Sequence, residues 1–526
     1  MKMSFFTIIN NKSSFFENHT LLSLFIIGIV GLSLRLYFFD FDIPVNSDAL
    51  GFFFYAADTS FLGSLPPNYS PANNGWPAFL SILFSLFKFE DTISYMNLQR
   101  LASVIISIIT IIPIFYLCNR FFEKKYCIIG VCIFAFEPRL IQNSLIGISD
   151  PLYIFLLTTS LAFFLSTSKK IIYFSFVLSA LATLVRSEGL FLFLALSVVF
   201  FIRYRKDKLV FPKYLLVLTI FVLILLPMAL YKIEATGTDN LIMRISSSAS
   251  NFSDASLIDN QKSSVSILTG LENFPKYLVW DLIPIFIFFV PFGFILVFRH
   301  LNYQSLTIIS SLISMSFPAF YAYSIPLPET RYFYFLYPLF CVLSLYPIRR
   351  LINKLDKQNI ALLLIISIFI ISTIFLGFKM DTSHERDAFL IAKHISALAT
   401  GVNQYLPEST YLETVDIPSK WSDFKNYFLG ERIPNTSIRT TFEHNTILFS
   451  LEQFDSLEKF ISLNHDKGLS HLIVDDKSTR PDFLSDVFFH EKKYPFLIKE
   501  FDSDEQNFIY HVKIFKIDYN KFEIND

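Results

Sequence analysis

Apolar runs long enough to cross a membrane recur from Leu21 to about Phe378. At about 20 apolar residues per crossing they number roughly eleven. Their bounds are 21–39, 100–118, 127–141, 150–166, 171–185, 189–202, 213–231, 278–298, 305–323, 332–348 and 360–378. The third, fifth and sixth are short, which suits little tilt or partial insertion. The first run is too long for a signal-peptide core and has no small-residue cleavage site, so it reads as a retained anchor.

The polar connections alternate in character. Lys124 with Lys125, Lys169 with Lys170, the stretch Arg203 to Lys208, Arg299 with His300, and Arg349 with Arg350 follow every second run, and Lys2 and Lys12 precede the first. Basic loops stay on the cytoplasmic side. The N-terminus is therefore expected inside, and an odd number of spans puts the C-terminus outside.

The remaining loops face outward. The first, 40–99, holds a Pro-rich turn and an amphipathic stretch, Trp76 to Phe87, that reads as a helix lying in the membrane interface. The second carries Glu137, Arg139 and Asp150, the third is Arg186-Ser187-Glu188-Gly189, the fourth (232–276) is rich in Ser, Asn and Asp, and the fifth ends at Arg331. From about Lys379 the chain turns polar and holds seven of the nine His. Phe389 to Leu398 and Phe454 to Leu463 have helical periodicity, and Ser470 to Val474 and Phe508 to Ile517 read as strands. The expected organisation is an α-helical multi-pass membrane domain, 1–378, followed by a small extracytoplasmic α/β domain, 379–526.

Composition agrees with that pattern: 53% of the 526 residues are hydrophobic, 63 are Phe, and the mean hydropathy is +0.48. The net charge of −1 gives no reason to expect a nucleic-acid partner. Cys118, Cys127, Cys132 and Cys341 lie in apolar runs without zinc-ligand spacing and read as packing residues. N-x-S/T sequons at Asn68, Asn251 and Asn435 fall on the outer side, and others at Asn11 and Asn18 on the inner, so they do not test the topology.

The topology gathers charges at the outer ends of spans: Asp40, Asp42, Asp48, Glu137, Arg139, Asp150, Arg186, Glu188, Glu329 and Arg331. Any one of them is explained by snorkelling or an ion pair between helices. As a set they ask for more, because Arg186 and Arg331 run against the positive-inside bias. Carboxylates facing arginines suit a reaction that takes a proton from a hydroxyl and releases a phosphate. A transporter or flippase for a lipid-linked or anionic substrate is the alternative, but it would place such charges near mid-span, with a repeated half.

The residues resemble the GT-C superfamily of membrane glycosyltransferases, in particular the protein O-mannosyltransferase and aminoarabinose-transferase type. SDALGFFFYAAD puts Asp48 at the acidic position of the first outer loop, with Tyr55 following. PPNYSPANNGWPAFLSILF is similar to the turn leading into an interfacial helix. EPRLIQNSLIGISDPLYIF supplies Glu137 and Asp150, LVRSEGLFLF an Arg-x-Glu-Gly turn, and ETRYFYFLYPLF an Arg-Tyr before a Pro-containing span. The chain departs from the pattern at Ala49, where relatives often have Glu. A second carboxylate near Asp48 is then left to Asp40, Asp42 or Asp150, or is dispensed with.

The resemblance implies a hexosyl or pentosyl transferase that takes a sugar from a polyprenyl (dolichyl-type) phosphate carrier to a glycan, lipid or protein acceptor on the outer face. It implies Asp48 as general base, and Arg331 with Arg186 or Arg139 as the donor phosphate site. Asp150, Glu137, Glu188, Glu329 and Tyr55 would position acceptor or sugar. It also admits a divalent ion, magnesium or manganese, on Asp48 and Asp150.

Overall fold

The computed structural model describes residues 20–63, 74–89, 91–237, 239, 266–299, 301–325, 329–355, 359–404, 411, 412, 414, 446–451 and 454–525. Lys2, Lys12, the Pro-rich turn before Asn74, most of the loop 232–276 and all five sequons lie outside them. The chain divides into two compact units. One comprises Met1–Phe39, Pro67–Ser81 and Gln99–Met380; the other comprises Asp40–Pro66, Ile82–Leu98 and Asp381–Asp526.

The first unit is helical, as lipid requires of a backbone that must satisfy its own hydrogen bonds. Among the described residues six helical stretches are long and apolar enough to cross a membrane: Thr20–Tyr37, Thr92–Cys118, Val210–Glu234, Tyr303–Ser324, Thr330–Lys354 and Ile360–Leu398. A bent pair, Lys124–Ala135 with Pro138–Ile146, makes a seventh if it counts as one span. The runs beginning at 150, 171 and 189 form the shorter helices Asp150–Phe164, Lys169–Val185 and Gly189–Arg203.

Prolines break runs that read as continuous. The run 127–141 bends by 51°, because Pro138 disfavours helical geometry at the residue before it. Glu137 is extended (φ −66°, ψ 116°), and its carboxylate accepts from the Arg139 amide, capping the new helix. The run 278–298 likewise divides into the end of Ile267–Leu282, a 3-10 turn at Phe286–Phe288 and the helix Val290–Val297, with Pro291 in its first turn. The fifth outer loop leads into a 3-10 segment, Thr330–Leu336, before the helix Tyr337–Leu355. That segment packs against Asp150–Phe164, Ile267–Leu282, Tyr303–Ser324 and Tyr337–Leu355. Arg35, fully buried in the first span, secures the bent pair by donating to the Ala135 carbonyl (3.0 Å) and Ser144 Oγ (3.2 Å).

In the second unit β1 (Gly401–Asn403) pairs in parallel with β2 (Ile447–Phe449). β3 (His471–Asp475), β4 (Leu497–Asp502) and β5 (Val512–Ile517) form an antiparallel sheet in the order β3-β5-β4. Strand alternation sends Leu472, Val474, Phe515 and Ile517 to one side, with Leu457, Phe460 and Val487. It sends Ile473, Val512 and Ile514 to the other, with Ile391, Ala392 and Ile395 of the helix Ser383–Leu398. Both faces of the sheet are thereby covered; β5 falls within the strand expected from the sequence, and β3 is displaced from its expected strand by one residue.

Candidate functional site

Two arginine centres and an aromatic segment gather most of the expected site residues in the first unit. In the first centre the helix Lys169–Val185 stops and Arg186 turns extended (φ −146°). One Nη of Arg186 donates to Asp150 and the other to Glu188 Oε1 at 2.8 Å. Asn143 Nδ2 donates to the second oxygen of Asp150 at 2.9 Å. Burial by itself disfavours the guanidinium charge, and the carboxylates of Asp150 and Glu188 more than offset it. Arg186 Nε, the Tyr153 hydroxyl and Asn143 Oδ1 are buried without a hydrogen-bond partner among the described residues.

Local backbone geometry aims this centre. A Cβ at Gly189 would lie 2.5 Å from the Thr183 nitrogen, so the Arg-Ser-Glu-Gly turn folds back on its own helix only with glycine there. The loop into Asp150 turns at Gly147 (φ +86°), in the left-handed region. The Gly147 carbonyl accepts from Trp76 Nε1 (3.1 Å) and Gln99 Nε2 (2.8 Å).

The second centre is built on Arg139. Its Nη2 and Nε donate to the carbonyls of Trp280 (2.7 Å) and Ile283 (3.3 Å), at the C-terminal end of the helix Ile267–Leu282. A cation is favoured at that end of a helix dipole. Glu137 and Asp281 are fully buried beside it. Tyr337 donates to Asp281 Oδ1 at 2.8 Å, and the remaining oxygens, Glu137 Oε2 and Asp281 Oδ2, have no hydrogen-bond partner among the described residues.

Arg331 pairs with Glu329 at the start of the 3-10 segment, where both side chains keep substantial exposure. Tyr332 lies within electrostatic reach of this pair and of Arg186 and Glu188. Tyr323 and Tyr334 are in turn within reach of Asp281, so a row of tyrosines connects the three arginine positions. Arg139, Arg186, Arg331, Asp150, Glu137, Glu188 and Glu329 thus belong to one network. The sequence reading missed Asp281, Tyr153, Tyr323, Tyr332, Tyr334 and Tyr337. A single acid within an apolar run was the available signal for Asp281.

Asp48, Tyr55, Asp40 and Asp42 belong to the second unit. Asp48 is exposed in the first turn of the helix Ser47–Leu62. Ser47 before it holds φ +49°, a conformation that non-glycine residues seldom adopt and that clusters at functional sites. Tyr55 is fully buried in the same helix. Asp40 is engaged by Arg386 Nη2 (2.6 Å), Thr382 Oγ1 (3.1 Å) and the Asp42 amide (3.1 Å). Burial raises its pKa, and these hydrogen bonds together hold it below the usual carboxylate range.

Among the described residues no group of three or more His, Cys, Asp or Glu is placed to hold a metal ion. Asp150 spends both oxygens on Arg186 and Asn143.

No protein-family model matches the chain, and no curated protein matches it by sequence. Solved structures do. ArnT from Cupriavidus metallidurans bound to undecaprenyl phosphate is 12% identical with a TM-score of 0.55, covering 93% of this chain and 97% of that one. The Archaeoglobus fulgidus oligosaccharyltransferase in complex with Zn and sulfate is 12% identical with a TM-score of 0.55, covering 86% of this chain and 68% of that one. The same archaeal enzyme, AglB, in complex with an inhibitory peptide and a dolichol-phosphate, is 12% identical with a TM-score of 0.52, covering 90% and 71%. These neighbours are membrane glycosyltransferases of the GT-C superfamily, and the chain has the GT-C fold.

Proposed function

We infer that this protein is a membrane glycosyltransferase that moves a sugar from a polyprenyl-phosphate carrier to an acceptor hydroxyl on the outer face of the membrane. The observation that carries the reading is a fold shared with ArnT over nearly the whole of both chains, with the arginine network placed around the Thr330–Leu336 segment. The N-terminus is cytoplasmic in this reading, 1–378 is the transferase domain, and 379–526 is extracytoplasmic.

In the reaction Asp48 takes the proton of the acceptor hydroxyl. Its oxygen then forms a bond to the anomeric carbon as the bond from that carbon to the carrier phosphate breaks. The electron pair leaves on the phosphate, and the products are the glycoside and the bare polyprenyl phosphate. Arg331, whose side chain is 30% exposed and pairs with Glu329, binds the phosphate and stabilises the charge that develops as it leaves. Arg186 and Arg139 assist from behind, since both are committed to internal partners. Asp150 and Glu188 fix Arg186, and Glu137 and Glu329 hold Arg139 and Arg331 in register.

The test is transfer from a labelled polyprenyl-phosphate sugar by the protein reconstituted into membranes that contain its acceptors. Asp48→Asn is expected to slow transfer by about 10²–10⁴. Turnover at the wild-type rate in that variant removes the base role, and absence of transfer by the wild-type protein removes the glycosyltransferase reading.

A further inference from the structure

The tyrosines of the network form a structure of their own. Tyr277 stacks on Tyr323 with ring centroids 4.7 Å apart and planes at 24°. Tyr332 meets Tyr323 edge-on at 6.2 Å, and Phe333 supports Tyr323 from 5.4 Å. Tyr323 and Phe333 are fully buried, whereas Tyr277 and Tyr332 are half-buried. The buried rings make a floor, and the half-buried rings stand on it with part of their surface open.

Tyrosines often line the ends of spans as an interfacial belt, each with its ring against lipid and its hydroxyl toward the headgroups. That account does not cover this cluster. Tyr323 has no exposed surface, and its hydroxyl donates inward to the Glu329 carbonyl at 2.8 Å. Tyr332 neighbours the charges of Arg331, Glu329, Arg186 and Glu188. A phosphate alone would need only the arginines. Open aromatic rings beside both carboxylates and guanidinium groups match a ligand with an apolar face, a rim of hydroxyls and an adjoining phosphate.

We propose that Tyr277 and Tyr332 form an aromatic subsite for the sugar ring of a polyprenyl-phosphate hexose, with Glu329 and Glu188 accepting hydrogen bonds from its hydroxyls and Arg331 on its phosphate. The proposal rests on the polyprenyl-phosphate donor reading above and adds the part of the donor that the tyrosines recognise. The subsite binds the ring by its face, so it distinguishes a loaded carrier from a spent one. Release of bare polyprenyl phosphate after transfer is then easier than release of unused donor.

The experiment measures binding of undecaprenyl phosphate and of its glucose, mannose and galactose conjugates to the full-length protein in nanodiscs. Wild-type protein is expected to bind at least one conjugate about tenfold more tightly than the bare carrier, the order of one good aromatic contact. Tyr332→Ala and Tyr277→Leu are each expected to lose that preference while keeping their affinity for undecaprenyl phosphate. Tyr332→Phe, which retains the ring, keeps most of it. Equal wild-type affinity for all four ligands overturns the subsite, as does an undiminished preference in both Tyr332→Ala and Tyr277→Leu. Should Tyr332→Ala lose both affinities through misfolding, Tyr277→Leu decides the matter, with bare-carrier binding as its control. Wild-type protein that binds none of the four overturns the donor reading itself.

Discussion

Asp150–Arg186 and Asp40–Arg386 are the same ion pair in two settings. In the first unit the side chains of Arg186 and Asp150 are 13% and 6% exposed, and the second carboxylate, Glu188, also binds the arginine. In the second unit Arg386 is 54% exposed above Asp40 at 10%. Arg386 stays solvated when the pair opens, and Asp40 keeps the Thr382 hydroxyl and the Asp42 amide, so the pair contributes little. Arg186 is itself buried, and Asp150 relies on it and on Asn143 for its charge. These two pairs of span-end charges therefore differ in kind: one is buried on both sides, and the other leaves its arginine in water. Arg331, with 30% of its side chain exposed, lies between these extremes, and it is the arginine we propose for the donor phosphate.

The largest expected effect follows from removing the buried cation. Arg186→Met should destabilise the protein by about 3–5 kcal/mol, because it strands two carboxylates with little access to water. The measurement is unfolding in detergent. Adding Asp150→Leu to that variant should restore much of the stability, since a matched apolar pair often replaces a buried ion pair at little cost. A loss under about 1 kcal/mol for Arg186→Met alone would place the pair with the exposed ones and erase the contrast.

Gly189→Ala comes next. The added methyl meets the Thr183 backbone, which lies in a helix and has little room to move. Overpacking of this kind costs about 1–3 kcal/mol, and the damage should fall on the turn that presents Arg186 and Glu188. Thermal unfolding checks the magnitude. An unchanged melting temperature would mean that the turn has slack, and that the clamp does not depend on it.

The sequence reveals the membrane fold well, because a lipid-facing backbone leaves a strong apolar signature over many residues. It reveals breaks within spans less well. The run from Cys127 to Ile141 is apolar enough to read as one crossing, and only the pair Glu137-Pro138 marks the bend. Arg186, Asp150 and Arg331 stand out as charges beside apolar runs; the structure pairs the first two, and Arg331 pairs with Glu329. Asp281 does not stand out, since a lone acid inside a long run is outweighed by its neighbours. The tyrosines of the 3-10 segment escape for another reason: a chain with 25 Tyr and 63 Phe gives no hint which rings will meet. In the second unit β3 and β5 are legible by alternation. β4 is not, because the central residues of Leu497–Asp502 are exposed in succession, Ile498 to Glu500, and its polar pattern hides the pairing with β5.

The smallest effect belongs to the exposed pair, and pH separates it from the buried one. Arg386→Ala should cost no more than about 1 kcal/mol at neutral pH, as for other exposed ion pairs. Hydrogen bonds from the Asp42 amide, Arg386 and Thr382 outweigh burial and hold Asp40 below its ordinary pKa. The folded state therefore binds this proton less readily than the unfolded chain. The stabilisation is fully present above the unfolded carboxylate value of about 3.9 and is lost as pH falls through the lower folded value. Wild-type and Arg386→Ala melting temperatures, apart at pH 7, should converge as pH falls below about 3.9 and through the lower folded value, and added salt should narrow the gap at pH 7 as well. Convergence is expected because protonated Asp40 no longer attracts the guanidinium, so the variant has nothing left to lose. A gap that stays as wide as at pH 7 throughout the acid range in which both proteins remain folded would show that Arg386 stabilises its helix by packing its alkyl stem, and the comparison with Arg186 would then rest on burial alone, with charge playing no part on the exposed side.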